Sequence, residues 1–157
     1  MAESNKIYIA YLTEPYGIGY VAEHAPQHMT LVPPFEAKYS DIAVRAIEEV
    51  AITARQFPMR VGQAALFGVN EDIPVHLIQG GGILRMIHNQ LFEVIEEKGV
   101  TIPDQRFRGD SYVPHITDKP GQPELVEGQM ITFNNISLIF KSAKLRSIAS
   151  RYDLKRG

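Results

Sequence analysis

The sequence predicts an α+β fold: one domain, residues 1–157, made of two similar lobes. Two observations carry this. Short alternating or apolar stretches with strand character run through most of the chain, and only two stretches have helical periodicity. The triplet His28-Met29-Thr30 also returns as His115-Ile116-Thr117, 87 residues later (115 − 28), each time just after a proline. Two loosely related halves with equivalent motifs imply an approximate twofold axis, with a shared site on it.

The elements follow in order. Lys6 to Leu12 alternates aromatic and aliphatic residues and reads as a strand, and the Gly- and Pro-rich segment Tyr16 to Gln27 reads as a loop. His28 to Val32 is expected to be a strand that Pro33-Pro34 stops, since proline cannot donate to a ladder. Ser40 or Asp41 can cap a helix to about Gln56, with Ile42, Val44, Ile47, Val50, Ala51 and Ala54 at helical spacing. Two strands, Phe57 to Gly68 and Pro74 to Ile78, are joined around Asn70-Glu71-Asp72. After a turn at Gly80 to Gly82, a second helix runs to about Lys98, with Leu84, Ile87, Leu91, Val94 and Ile95 on one face and Gly99 as its stop. A polar loop, Pro103 to Ser111, leads into a strand from Tyr112 to Thr117. Met130 to Lys141 and Leu145 to Leu154 read as the last two strands.

With 157 residues, 45% of them hydrophobic, and a net charge of −2, the chain can bury a core, and it is not a general polyanion binder. Any nucleotide contact must be local. The late basic residues Lys141, Lys144, Arg146, Arg151, Lys155 and Arg156 fit either a solvated strand and tail or a phosphate track. Cysteine is absent, which removes disulfides, a thiol nucleophile and thiolate metal sites, and suits a reducing compartment. Met1 to Lys6 is polar, with no signal-like apolar region, and no apolar run approaches a membrane span. The expectation is a cytoplasmic monomer without membrane contact.

In a strand, residues i and i+2 share a face, roughly 6–7 Å apart. Each triplet therefore presents an imidazole and a hydroxyl together and turns Met29 or Ile116 away. If the two strands are neighbours, two imidazoles converge as general acid and base, and two hydroxyls can hold phosphate oxygens. That is a phosphodiester-cleaving constellation that calls for neither metal nor cofactor. His24 precedes His28 by four residues, but Pro26 between them breaks helical ligand spacing. His76 reads as a hydrogen-bonded strand histidine, and His88 as lying at the edge of the second helix's apolar face. Gly80 to Gly82 are not a phosphate loop, since no Gly-Lys-Ser/Thr follows.

The paired triplets, their spacing and the element order resemble the two-histidine phosphoesterase superfamily, in particular its 2′-5′ RNA ligase-like and RNA 2′,3′-cyclic phosphodiesterase group. Lys6 to Leu12 resembles the opening strand, His28-Met-Thr-Leu the first motif, and Tyr112-Val-Pro-His-Ile-Thr the second. Val75 to Gly99 resembles the strand-then-helix segment; Ile136-Ser-Leu-Ile-Phe and Ala149-Ser-Arg-Tyr-Asp-Leu resemble the closing strands. The resemblance implies two pseudo-twofold lobes with antiparallel sheets around a central cleft and helices outside. It implies His28 and His115 as the catalytic pair, in unassigned acid and base roles, with Thr30 and Thr117 on the phosphate. The implied substrate is an RNA end or a small nucleotide or oligonucleotide: a 2′,3′-cyclic phosphate or related phosphodiester to hydrolyse, with ligation as the reverse reaction. Cleavage of 2′-5′-linked or cyclic oligonucleotides, and nucleotide binding without turnover, are the alternatives.

One departure is visible. Such proteins usually carry arginine five residues after the second histidine, where this chain has Pro120. Lys119 shares the parity of His115 and Thr117, so it either supplies the positive charge or belongs to the turn. Tyr8 either stacks a base or packs the core, and Phe35 carries the same ambiguity. Arg106 and Arg108 either reach a second phosphate or are solvated.

Overall fold

The computed structural model describes residues 5–157, so residues 1–4 of the polar lead-in lie outside the described residues. Nine strands and two helices follow along the chain: β1 (Lys6–Leu12), β2 (Val21–Ala22), β3 (His28–Glu36), α1 (Ser40–Ala51), β4 (Phe57–Phe67), β5 (Ile73–Gln79), α2 (Gly81–Glu97), β6 (His115–Thr117), β7 (Met130–Phe133), β8 (Asn135–Ser142) and β9 (Leu145–Asp153). All the strands join one antiparallel sheet, ordered β2-β9-β8-β1-β3-β6-β5-β4-β7. Its two halves meet at β3 and β6, where the pairing is Met29 with Ile116.

Both helices cover one face of this sheet. α1 buries Ala43, Ala46, Ile47, Val50 and Ala51, and α2 buries Leu84, Ile87, His88, Leu91, Phe92 and Ile95. These join Ile7, Ile9, Met29, Leu31, Ile116 and Leu138 in the main core. The buried stripe of α1 is rotated from the expected one: Ala43 and Ala46 replace Ile42 and Val44, which are only partly buried. Small side chains at these positions let α1 approach its neighbours closely. α2 leaves the sheet through Gly81, whose φ of 67° suits glycine, and stops at Gly99, with φ 91°. Among the described residues, no helix is long and apolar enough to cross a membrane.

Three strand boundaries differ from expectation. β3 does not stop at Pro33-Pro34 but runs through both to Glu36. Ile9 pairs with Val32 and Ile7 with Phe35, so the prolines sit in a bulge, where no ladder N–H is needed. The Met130–Lys141 segment is two strands. β7 pairs with β4 at one edge of the sheet, while β8 pairs with β1 in the other half, so the chain changes lobes at Asn134. Buried Asn135 anchors this crossing: it accepts from the Leu12 N–H at 3.1 Å and donates to the Leu12 carbonyl at 2.9 Å. Finally, only His115–Thr117 of the second motif is strand, and Val21–Ala22 adds a short edge strand inside the expected loop.

Candidate active site

The single Met29–Ile116 pairing decides the site. In an antiparallel ladder it puts His28 opposite Thr117 and Thr30 opposite His115, all on the face away from Met29, Ile116 and the helices. The local twofold passes between the middle residues of the two triplets. The histidines are then diagonal neighbours, with Cβ atoms somewhat less than about 7–8 Å apart, a separation that one phosphate can bridge.

Each imidazole is held in the same way. His28 Nδ1 lies 2.7 Å from the Pro26 carbonyl, and His115 Nδ1 lies 2.8 Å from the Val113 carbonyl, two residues upstream in both cases. A carbonyl can only accept, so Nδ1 carries the hydrogen and Nε2 is free for proton transfer.

The surroundings of the two rings differ. Burial pushes the His28 pKa down to about 4; the Pro26 carbonyl opposes this, and the charges of Lys119, His115 and Arg146 reinforce it. Tyr8 packs on His28, with ring centres 5.4 Å apart, and Phe67 meets His115 edge-on at 4.7 Å. Tyr8 lies in a small second core with Ala10, Leu12, Ile139 and Ile148, and burial raises its pKa to about 12. Only 6% exposed, it supports His28 and offers no open face for stacking a base.

Lys119 is brought to the site: it is exposed in the turn after β6, and its charge is felt at His28. It also lines a cavity of about 520 Å³ with Tyr16, Tyr20, His24, Pro26 and Gln122. Phe35 and Arg106 are not brought there. Phe35 is 1% exposed, because the bulge sets it opposite Ile7 on the helix face, where it fills the main core. Arg106 is in solvent, bound to both Asp104 oxygens at 3.0 and 2.9 Å, and Arg108 grips Glu96 of α2. Their loop follows the helix layer, since Ile102 at its start packs into the helix-side core.

His24 lines the cavity without a ligand partner: among the described residues, no group of three or more His, Cys, Asp or Glu could hold a metal ion. His76 bonds Asp118 at 2.9 Å and stands opposite Ile116, hence on the helix face of the sheet.

Sequence reasoning missed three features. Arg146, from β9, bears electrostatically on both Tyr8 and His28, although it was legible only as one of several late basic residues. Phe67 carried no signal beyond strand parity. His88 is fully buried rather than marginal: its Nδ1 faces the Leu31 carbonyl at 2.8 Å, and its Nε2 accepts from the Gly109 N–H at 3.1 Å. Those partners fix a neutral ring, and burial lowers its pKa. Tyr112 stacks flat on His88 at 3.8 Å and donates to the Thr30 carbonyl at 2.7 Å. Together they satisfy two successive β3 carbonyls beside the short β3–β6 junction, which fixes the strand that carries His28 and Thr30.

This geometry has a counterpart in known sequences. The model of the 2'-5' RNA ligase superfamily matches residues 10–121, which include both triplets. The chain belongs to the 2'-5' RNA ligase superfamily. Several solved structures share its fold. TT0787 of Thermus thermophilus aligns over 96% of this chain and 98% of its own at 16% identity, with a TM-score of 0.67. LigT of E. coli aligns over 99% and 100% at 14% identity, with a TM-score of 0.56. A structure described as a phosphoesterase aligns over 98% and 100% at 13% identity, with a TM-score of 0.58. No curated protein matches the sequence significantly.

Proposed function

We propose that this protein is a metal-independent phosphodiesterase that hydrolyses a 2′,3′-cyclic phosphate or a related RNA or nucleotide phosphodiester, with His28 and His115 as its acid–base pair. The observation that carries this is the diagonal pair of imidazoles, each with Nδ1 tied to a backbone carbonyl and Nε2 free. Thr30 and Thr117 hold phosphate oxygens between them, and Lys119 adds positive charge. E. coli LigT has been solved with 3'-AMP and with phosphate, ligands of the same chemical class.

The unequal surroundings favour one division of roles. His28, held neutral at pH 7 by burial and neighbouring cations, is the base. Its Nε2 takes a proton from water as the water oxygen bonds to phosphorus. His115, as the acid, delivers a proton to the ribose oxygen as the P–O bond of the cyclic ester breaks. Atoms balance: one P–O bond forms, one breaks, and water adds across the ester. The same two proton transfers would serve 2′-5′-linked or cyclic oligonucleotides.

The test is a pH–rate profile with excess EDTA over a panel of 2′,3′-cyclic mononucleotides, 2′-5′ oligoadenylate and cyclic-phosphate RNA. Activity should persist in EDTA, and the acid limb of kcat/KM should fall well below ~6.5, because that limb reports protonation of the base in the free enzyme. Activity lost in EDTA and restored by a divalent metal would overturn the reading.

A further inference from the structure

The face of the sheet that carries the two histidines holds a second unusual feature. Lys6 of β1 stands directly opposite Lys141 of β8, and Lys141 stands directly opposite Arg146 of β9. Three cations therefore occupy consecutive cross-strand positions, in a row perpendicular to the strands. Like charges directly opposite one another destabilise a sheet, so this arrangement carries a cost unless an anion offsets it. Glu36 ends the row opposite Lys6, but its carboxylate is already 3.1 Å from Lys38. All three basic residues are half-buried, so their stems are packed while their heads remain charged.

The register ties this row to the cleft. Tyr8 pairs with Ile139 and Ala10 with Ser137, while Ala10 also pairs with Thr30, so Lys6 shares the face of Thr30 and His28. Along β1, Lys6 and Tyr11, the partner of Met29, are five positions apart (11 − 6), a span of about 17 Å. Arg146 stands in the row by its backbone, and its charge is felt at both Tyr8 and His28.

We propose that Lys6 and Lys141 form a backbone-phosphate subsite for single-stranded RNA whose reactive end lies between His28 and His115. This rests on the phosphodiesterase reading and extends it to an oligonucleotide long enough to reach past the cleft. At about 3.4 Å per stacked nucleotide, the row meets a phosphate about five nucleotides from the reactive end. Two ammonium groups bind phosphate without reading bases, so the subsite selects for chain length and not for sequence.

The experiment measures binding of a 3′-phosphorylated single-stranded RNA of about eight nucleotides, long enough to cover the row, by fluorescence anisotropy over a salt series. A dinucleotide 3′-phosphate, too short to reach it, is the reference. The Lys6→Gln/Lys141→Gln variant should flatten the salt slope for the longer RNA by about 1.4, two contacts at ~0.7 each, and leave the dinucleotide slope in place. Between about 50 and 200 mM salt, the parent protein then loses about sevenfold more affinity than the variant. Relief of the like-charge row should also raise the variant's Tm, whereas structural lysines would lower it. An unchanged slope, a lowered Tm, or an equal flattening by the charge-matched Lys98→Gln/Lys155→Gln control would overturn the subsite. Hydrolysis of a 2′,3′-cyclic mononucleotide, which does not extend to the row, tests the phosphodiesterase reading separately.

Discussion

The two halves of the molecule repeat a backbone device and then diverge in what surrounds it. In both, a histidine two residues after a carbonyl donates its Nδ1 hydrogen to that carbonyl. In the first half the ring is closed in by Tyr8 and faced by Arg146 and Lys119. In the second, Phe67 meets the ring by an edge, and the bond to the Val113 carbonyl is exposed where the Pro26 bond is part-buried. A twofold repeat can therefore supply two equivalent imidazoles, and unequal packing can give them different work. Both roles are needed at once, since one ring must be neutral while the other is protonated.

The sharpest way to break this comparison is to remove each ring. His28→Ala and His115→Ala should each lower turnover by on the order of 10²–10⁴, with the double variant losing less than the product, as members of one unit do. Near-parental activity in either single variant, measured on the substrate that turns over fastest, would remove that residue from the pair.

The next largest effect is on stability, at the point where the chain crosses between halves. Asn135→Ala leaves the N–H and carbonyl of Leu12 buried without their partner, and should cost about 2–4 kcal/mol in urea unfolding. A loss below about 1 kcal/mol would mean that the crossing is held by packing alone.

A third measurement addresses the asymmetry itself. A histidine whose folded pKa is depressed binds fewer protons folded than unfolded between the two values. His28 therefore favours folding above about 6.5, and this stability is lost as pH falls toward about 4. Removing a cation that opposes protonation raises the folded pKa, so Arg146→Gln should move the His28 titration upward in NMR. The acid limb of the rate profile should move with it. No movement would show that the Arg146 charge does not bear on the ring.

The smallest effect expected is that of Tyr112→Phe, which deletes the hydroxyl bonded to the Thr30 carbonyl. It should cost about 1 kcal/mol of stability and lower kcat more than it raises KM, because it loosens the strand that positions His28. A change in KM alone would instead place Tyr112 in ground-state binding.

Much of this was legible in the linear chain because strand parity is local. The period of two puts His28 with Thr30 and His115 with Thr117, whatever the rest of the fold does. The repeated triplet was enough to suggest two halves, and the apolar periodicity of α2 and the stop at Gly99 needed no tertiary information. What parity could not supply was pairing. Pro33 and Pro34 read as a strand end because the bulge that excuses their missing N–H groups exists only against β1. Phe35 reads as a cleft candidate in the linear chain, and that same bulge turns it to the helices. Met130 to Lys141 read as one strand because nothing local marks the switch of partner from β4 to β8.

The chemistry divides along the same line. The sequence by itself determined which residue types meet on each motif strand, since side-chain direction alternates along any extended chain. Only the tertiary structure decided that Met29 pairs with Ile116, which makes two motifs into one site. It also decided that Arg146, 118 residues beyond His28 (146 − 28), bears on that histidine's protonation. Burial and long-range charge depend on everything packed around a group, and no local pattern encodes them.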